Sequence, residues 1–472
     1  MNKENSFSKI EVQHLNFLKR HIGAEAVIET KEKMLPYASD HTEDFVYMPS
    51  VVVIPKNTEE VSLIAKFCYE NNFPLTVRGA GTGLSGGALP IYGGVLLSIE
   101  KLNKIITIDE ANLQATVEPG IITQVFQEAV WEKGLFYPPD PASKGSCFIG
   151  GNLAENSGGP KAVKYGVTKD YVLNLEVVLA DGTVMWTGAD VLKNATGLNL
   201  TQLMIGSEGT LGIITKAVFR LIPAPTKDVL MLVPFRKAEE ACLAVSQIFH
   251  LGITPSGLEF MEKDAIDFAI KYVEGIELEI PDDIQAHLLI ELDGNDMEVM
   301  MKEAEDIFEL LQKFDCGEIL MADSKAQKDK LWFLRRCLSE AVKRNSVYKE
   351  EDTVVKRAYL ADLLVGVKKI GKEYGFQSVC YGHAGDGNLH VNIIKGDMSD
   401  EAWSGEHLKN GIREIFKLCK KLGGTISGEH GIGLVQKEYM DIMFFPKELE
   451  LQKSIKALFD PNGILNPGKI WI

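Results

Sequence analysis

Three of the chain's nine histidines fall in two short glycine-framed motifs. Residues 383–392 read His-Ala-Gly-Asp-Gly-Asn-Leu-His-Val-Asn, and residues 427–433 read Ser-Gly-Glu-His-Gly-Ile-Gly. Asp386 and Gly387 mark a turn, and residues 389–393 alternate as a strand. A period of two puts His390 and Asn392 on one face and Leu389, Val391 and Ile393 on the other. The turn then lets His383 fold back beside His390. Two imidazoles and the carboxylate of Glu429 make a candidate three-ligand set with a position left open for substrate. The donors are nitrogen and oxygen, so Zn²⁺, Fe²⁺ or Mn²⁺ is compatible, and ligand type does not choose among them. Histidine as a residue type can take a proton near neutral pH, and His430 lies beside Glu429 as a candidate base. The alternative is a non-metal cluster, because a lone histidine on a strand is more often a satisfied structural residue.

A second kind of chemistry is suggested by glycine. Residues 78–87 read Arg-Gly-Ala-Gly-Thr-Gly-Leu-Ser-Gly-Gly. Glycines let backbone N–H groups approach an anion closely, which suits a pyrophosphate. No Gly-Lys-Ser/Thr follows, so the loop is not of the Walker type. Gly81, Gly83 and Gly86 match GxGxxG, but that fingerprint must open a helix, and Gly87, Pro90, Gly93 and Gly94 follow instead. Residues 138–159 and 206–214 form two further Gly-rich loops. Three such loops exceed what turns require and point to one extended cofactor wrapped by backbone.

Together with residues 458–469, Leu-Phe-Asp-Pro-Asn-Gly-Ile-Leu-Asn-Pro-Gly-Lys, the three loops resemble the FAD-binding domain of the vanillyl-alcohol oxidase superfamily. Within it they look like the D-lactate dehydrogenase and glycolate oxidase D-subunit branch, over nearly the whole chain. The resemblance implies an α+β protein: a two-lobed FAD-binding domain, an α+β substrate cap domain and a C-terminal segment closing on the flavin. It implies that Gly79, Ala80, Gly81, Thr82 and Gly83 cradle the FAD pyrophosphate. It implies that Pro139, Ser146, Gly150, Gly151, Asn156 and Gly159 line the cofactor, with Ile214 near the adenine and Asn466 near the flavin. Arg78, Ser85, Glu208 and Gly209 complete the expected cofactor set. Thr82 stands where some relatives attach FAD through a His, so non-covalent FAD is expected, and Phe148 stands where many carry Thr.

In the resembling family the histidine at position 430 is the base. Oxidising an α-hydroxy acid requires removal of the hydroxyl proton and departure of hydride to flavin N5, and a metal on the alkoxide oxygen eases the first step. In related D-2-hydroxyglutarate dehydrogenases the Arg of an LWxxR segment and a following Lys bind carboxylate. Arg335 and Lys349 correspond, at an interval one residue shorter. The expected catalytic set is therefore His430, Arg335, Lys349 and Asn392. The expected reaction is FAD-dependent oxidation of D-lactate to pyruvate, with glycolate and D-2-hydroxyglutarate as the nearest alternative substrates. Two other classes are a redox-neutral transferase like the alkylglycerone-phosphate synthases and a non-catalytic chain like the glycolate oxidase E type. The latter is expected to lack the His motifs.

The elements that must position these residues follow from pattern. Residues 1–45 read as a polar helical segment, 46–225 as the FAD-binding domain, 226–420 as the cap and 421–472 as the closing segment. Val51 to Ile54 read as a buried strand, Asn57 caps a helix, and Leu75 to Val77 form the next strand. Residues 296–313 and 326–343 read as long charged helices. Seven scattered cysteines contain no CxxC, so electrons are expected to leave to an external acceptor: an electron-transfer flavoprotein coupled to NAD, a quinone or an iron–sulfur subunit. A formal charge of −16 argues against nucleic acid as the main partner. The cysteine usage, a start without a signal-peptide core and the lack of a long apolar run lead to an expected cytoplasmic location without a transmembrane segment.

Overall fold

The computed structural model describes residues 7–42, 45–276 and 278–472. Two compact units share the chain: Met1–Gly158 with Val167–Ala224 and Glu429–Ile472, and Gly159–Gly166 with Pro225–Gly428.

The first unit carries two sheets. One has the order Val27–Ile28, Val51–Val53, Val95–Ser98, Leu75–Arg78. Its last two pairings are parallel and the first is antiparallel. Helix Thr58–Asn71 makes the crossover between parallel strands, capped by Asn57 Oδ1, which accepts the Glu60 N–H at 2.8 Å. The second sheet is antiparallel, in the order Ile105–Asp109, Gln114–Val117, Ile213–Arg220, Val172–Val178, Val184–Trp186. Leu18 and Ile22 of helix Val12–Ile22 join Val51, Ile64, Leu97, Val178 and Ile213 in one core, and so do Ile464 and Leu465 from near the C-terminus. The leading segment is thus partly strand: Val27–Ile28 edges the first sheet, too short for any periodicity to reveal.

The second unit is built on a seven-stranded antiparallel sheet. Its order is Leu320–Met321, Lys227–Phe235, Ala286–Gly294, Gly257–Glu262, Gln377–Gly382, Asn388–Ile394, Tyr348–Val354. Helices Lys263–Tyr272 and Lys325–Asn345 cover one face. Leu331, Leu334, Leu338 and Val342 there meet Met261, Tyr348, Val379 and Tyr381 of the sheet. Residues on the strands alternate between this face and the opposite one.

Candidate functional site

Strand alternation collects reactive side chains on the helix-covered face of the seven-stranded sheet. Asn388–Ile394 contributes His390 and Asn392, and Tyr348–Val354 contributes Asp352 opposite His390 and Glu350 opposite Asn392. Tyr381 flanks His390 on the other side, ring centroids 5.6 Å apart. His383 follows Gln377–Gly382 and turns back through Ala384–Asp386, so that its imidazole stands edge-on to His390 with centroids 5.5 Å apart. Gly387 makes this turn possible. Its φ is 76°, and a Cβ there would lie 2.0 Å from the Val355 carbonyl oxygen.

Carboxylates flank both imidazoles, and one of them orients His383. His383 Nδ1 lies 2.8 Å from Glu259 Oε2 and 3.0 Å from Oε1, which directs Nε2 elsewhere. Glu259 also receives Arg335, whose Nη2 is 2.6 Å from Oε2, and the guanidinium lies 5.4 Å from the Tyr381 ring centroid. Burial pushes the Glu259 carboxyl up, but His383 and Arg335 outweigh it and hold the group below its usual range. His390 Nδ1 is 3.4 Å from Glu350 and 3.7 Å from Asp352. Asp352 Oδ1 accepts from Asn388 Nδ2 at 2.7 Å, and Oδ2 accepts the Gly428 N–H at 2.7 Å and the Ser427 hydroxyl at 3.1 Å. Asp352 therefore fixes the chain one residue before Glu429.

The structure brings Arg335 to the histidine face and does not bring Lys349 there. Lys349 pairs with Ile393, so it points to the opposite face, where Nζ lies 5.5 Å from the Trp403 ring centroid. A shift of one residue along a strand exchanges faces. Asn392 donates Nδ2 to the Val379 carbonyl at 3.3 Å. Glu259, Glu350 and Asp352 were missed by sequence reasoning. Two signals could have found them: acids at i and i+2 in a strand, and one acid inside the apolar run at 257–261.

In the first unit the three glycine loops converge. No helix follows the first of them, and a short helix, Ile149–Glu155, grows out of the second. A Cβ on Gly79 would lie 3.7 Å from the Gly151 nitrogen. The third loop is strapped to that helix: Gly206 N–H donates to Leu153 O and Glu208 N–H to Ala154 O, both at 2.9 Å. Asn466 Nδ2 donates to the carbonyls of Gly87 at 2.9 Å and Glu208 at 2.7 Å, tying the first loop to the third. The Cβ directions of Gly83 and Gly151 open into free space. Arg78 lies beneath Gly81, where a Cβ would meet its guanidinium, and its buried Nη1 has no hydrogen-bond partner among the described residues. Open glycine backbone near a buried cation with an unused donor fits the pyrophosphate of FAD.

Other expected cofactor residues take varied positions. Gly150 packs against protein, since a Cβ would fall 2.6 Å from Ile99. Pro139 accepts Gln127 Nε2 on its carbonyl at 2.8 Å, and Ser146 is exposed and donates to Ser143 O. Asn156 closes its helix at φ 58° and accepts the Lys169 N–H. Ser85 is buried, Thr82 half-buried, Gly209 lies at φ 68°, and Ile214 stands opposite Val177 in the second sheet. Gly159 begins the Gly159–Gly166 segment of the second unit.

Glu208 turns its carboxylate to the loop after His430. It accepts the N–H groups of Ile432 at 2.8 Å and Gly433 at 2.7 Å. Gly431, at φ 79°, passes over Glu155, whose Oε2 lies 2.0 Å from the position a Cβ would take. Burial, with Glu208 adding to it, raises the Glu155 carboxyl well above its usual range. Burial also raises Glu208 against the two N–H donors. Lys469 donates to Gly87 O, Leu89 O and Asn466 Oδ1. Burial pushes this amine down to about 7 against the pull of Glu208, Asp40 and Glu155. Glu155 and Lys469 were not foreseen, although Lys469 ends the same motif as Asn466.

Comparison with known proteins is consistent with this geometry. Residues 49–188 match the FAD binding domain, and residues 224–470 match the domain described as FAD linked oxidases, C-terminal domain. The chain is 38% identical to the glycolate oxidase subunit GlcD of Bacillus subtilis (strain 168), covering 95% of this chain and 94% of that one. It is 39% identical to a D-lactate dehydrogenase of Anaerostipes hadrus, covering 91% and 92%. A solved p-cresol methylhydroxylase superposes with a TM-score of 0.78 at 19% identity, over 97% of this chain and 96% of that one. The fold is that of the vanillyl-alcohol oxidase-type flavoproteins, mixed helix and sheet as the sequence implied.

Proposed function

The chain belongs to the FAD-linked oxidases, and from that premise we propose that it oxidises D-lactate to pyruvate with non-covalent FAD and a divalent metal ion. Bound FAD supplies the hydride acceptor, and the metal ion supplies a Lewis acid at the substrate's hydroxyl oxygen. The observation that carries the reading is the edge-on His383–His390 pair on one sheet face, with His383 hydrogen-bonded to Glu259 and His390 lying 3.4 Å from Glu350. His383, held through Nδ1 by Glu259, and His390 would offer ring nitrogens to a cation, with Glu429, which follows the anchored Gly428, as the third ligand. His430 takes the hydroxyl proton while Arg335 receives the carboxylate. Asn392 keeps its place in the site through the Val379 carbonyl. Thr82 stands where some relatives attach FAD through a His, which supports non-covalent binding.

The placement of Lys349 favours a monocarboxylate such as lactate over a dicarboxylate such as 2-hydroxyglutarate, since the second expected cation faces away. Glycolate is the runner-up substrate. Electrons leave to a separate acceptor in this reading, an electron-transfer flavoprotein or an iron–sulfur subunit, and the protein works in the cytoplasm. Among the described residues no helix is long and apolar enough to cross a membrane. Metal analysis after gel filtration, with lactate turnover before and after chelation, tests the proposal. About one metal per chain is expected, and chelation should abolish turnover while the flavin spectrum stays unchanged. Full turnover in protein shown to be metal-free refutes it.

A further inference from the structure

Glu259 is an anomaly in its own strand. It is fully buried and sits among Gly257, Leu258, Phe260 and Met261. An isolated buried carboxylate is strongly unfavourable, so its partners define its task. It has two. Oε2 and Oε1 face His383 Nδ1 at 2.8 and 3.0 Å, and Oε2 meets Arg335 Nη2 at 2.6 Å. Arg335 is itself buried in helix Lys325–Asn345, and its Nε has no hydrogen-bond partner among the described residues.

We propose that Glu259 is a positioning residue that serves two reacting groups at once, holding His383 in the tautomer that ligates metal through Nε2 and aiming the free Nε edge of Arg335 at the substrate carboxylate. The first half rests on the metal reading given above. A carboxylate accepting Nδ1–H fixes the ring and raises the basicity of Nε2. The second half is independent of metal. An arginine with five donors can spend one on Glu259 and keep others for a second carboxylate. The same carboxylate thus couples the place where substrate oxygen is bound to the place where its carboxylate is bound. The residue touches neither substrate nor metal.

Glu259→Gln, prepared as full-length flavoprotein, separates these roles from a merely structural one. The flavin-to-protein ratio should match wild type, because the cofactor loops belong to the other unit. Zn²⁺ affinity, read by competition with a chromophoric chelator, should fall about 10–100-fold, the usual cost of losing such a partner. KM for D-lactate should rise in metal-saturated protein through the loosened Arg335. If the single variant does not fold, Glu259→Gln with Arg335→Met removes both charges and should recover folding while keeping the weakened Zn²⁺ binding. Wild-type Zn²⁺ affinity in a folded Glu259 variant overturns the proposal. Absence of Zn²⁺, Fe²⁺ and Mn²⁺ binding in wild type sinks the metal reading instead. The Arg335 half then stands or falls on KM alone, and an unchanged KM overturns it.

Discussion

The two units solve positioning in opposite ways. The first presents backbone: glycine loops lie with their Cβ directions open at Gly83 and Gly151, strapped together by Asn466 and by a short helix. The second presents side chains: the strand period sorts His390, Asn392, Glu350, Asp352, Tyr381 and Glu259 onto one face. A backbone site is vulnerable to atoms added, and a side-chain site to atoms removed. The same substitution logic should therefore fail in different ways in each.

The largest effect is expected at His430. His430→Ala should lower kcat by roughly 10²–10⁴-fold, the worth of a positioned base, with a smaller change in KM. Stopped-flow flavin reduction checks this, on protein that retains FAD and metal. Near wild-type reduction moves the base elsewhere. Next come the glycines, which sharpen the contrast. Gly83→Val meets no protein atom and should fold yet lose FAD on dialysis. Gly150→Val would strike Ile99 and Pro119 and should lower Tm as well as FAD content. Equal behaviour of the two variants breaks the distinction between cradle and packing glycine.

Glu208→Ala is of intermediate size. It leaves the Ile432 and Gly433 N–H groups without their acceptor, at about 1–3 kcal/mol for each group that stays buried. Tm should fall, and kcat should fall more than KM changes, because the loop carries His430. The smallest effects belong to Lys349 and to pH. Lys349→Ala should alter kcat/KM little, since its side chain lies on the sheet face away from the histidines, over Trp403; a large loss would place it back in the site. For Glu259 the folded carboxyl lies below the usual carboxylate range. The unfolded chain therefore takes up the proton first as pH falls. Its stabilising contribution is complete above the range in which the unfolded group titrates and is lost as pH drops through the folded one. Denaturation of wild type and Glu259→Gln should differ near neutrality and converge under acid.

Much of this was legible before the fold. The alternation at 389–393 put His390 and Asn392 together, and the Asp386-Gly387 turn returned His383 to them. Asn57 marked a helix start because its side chain is a local acceptor. Local pattern could not show that Glu259, 124 residues before His383, is its partner, because that pairing depends on strand order. Nor could it show that the Glu208 carboxylate accepts the backbone N–H groups after His430. The two-residue strand Val27–Ile28 carries no period at all. Lys349 is instructive: a motif transferred from relatives identified the residue type, and strand parity decided where it points.

The most direct test is anaerobic reduction of the bound flavin. Metal-replete protein mixed with D-lactate should lose its yellow absorbance within the enzyme's turnover time. D-2-hydroxyglutarate should act weakly and L-lactate not at all. Retention of full flavin absorbance with D-lactate and with glycolate, in protein whose flavin dithionite still reduces, contradicts the account.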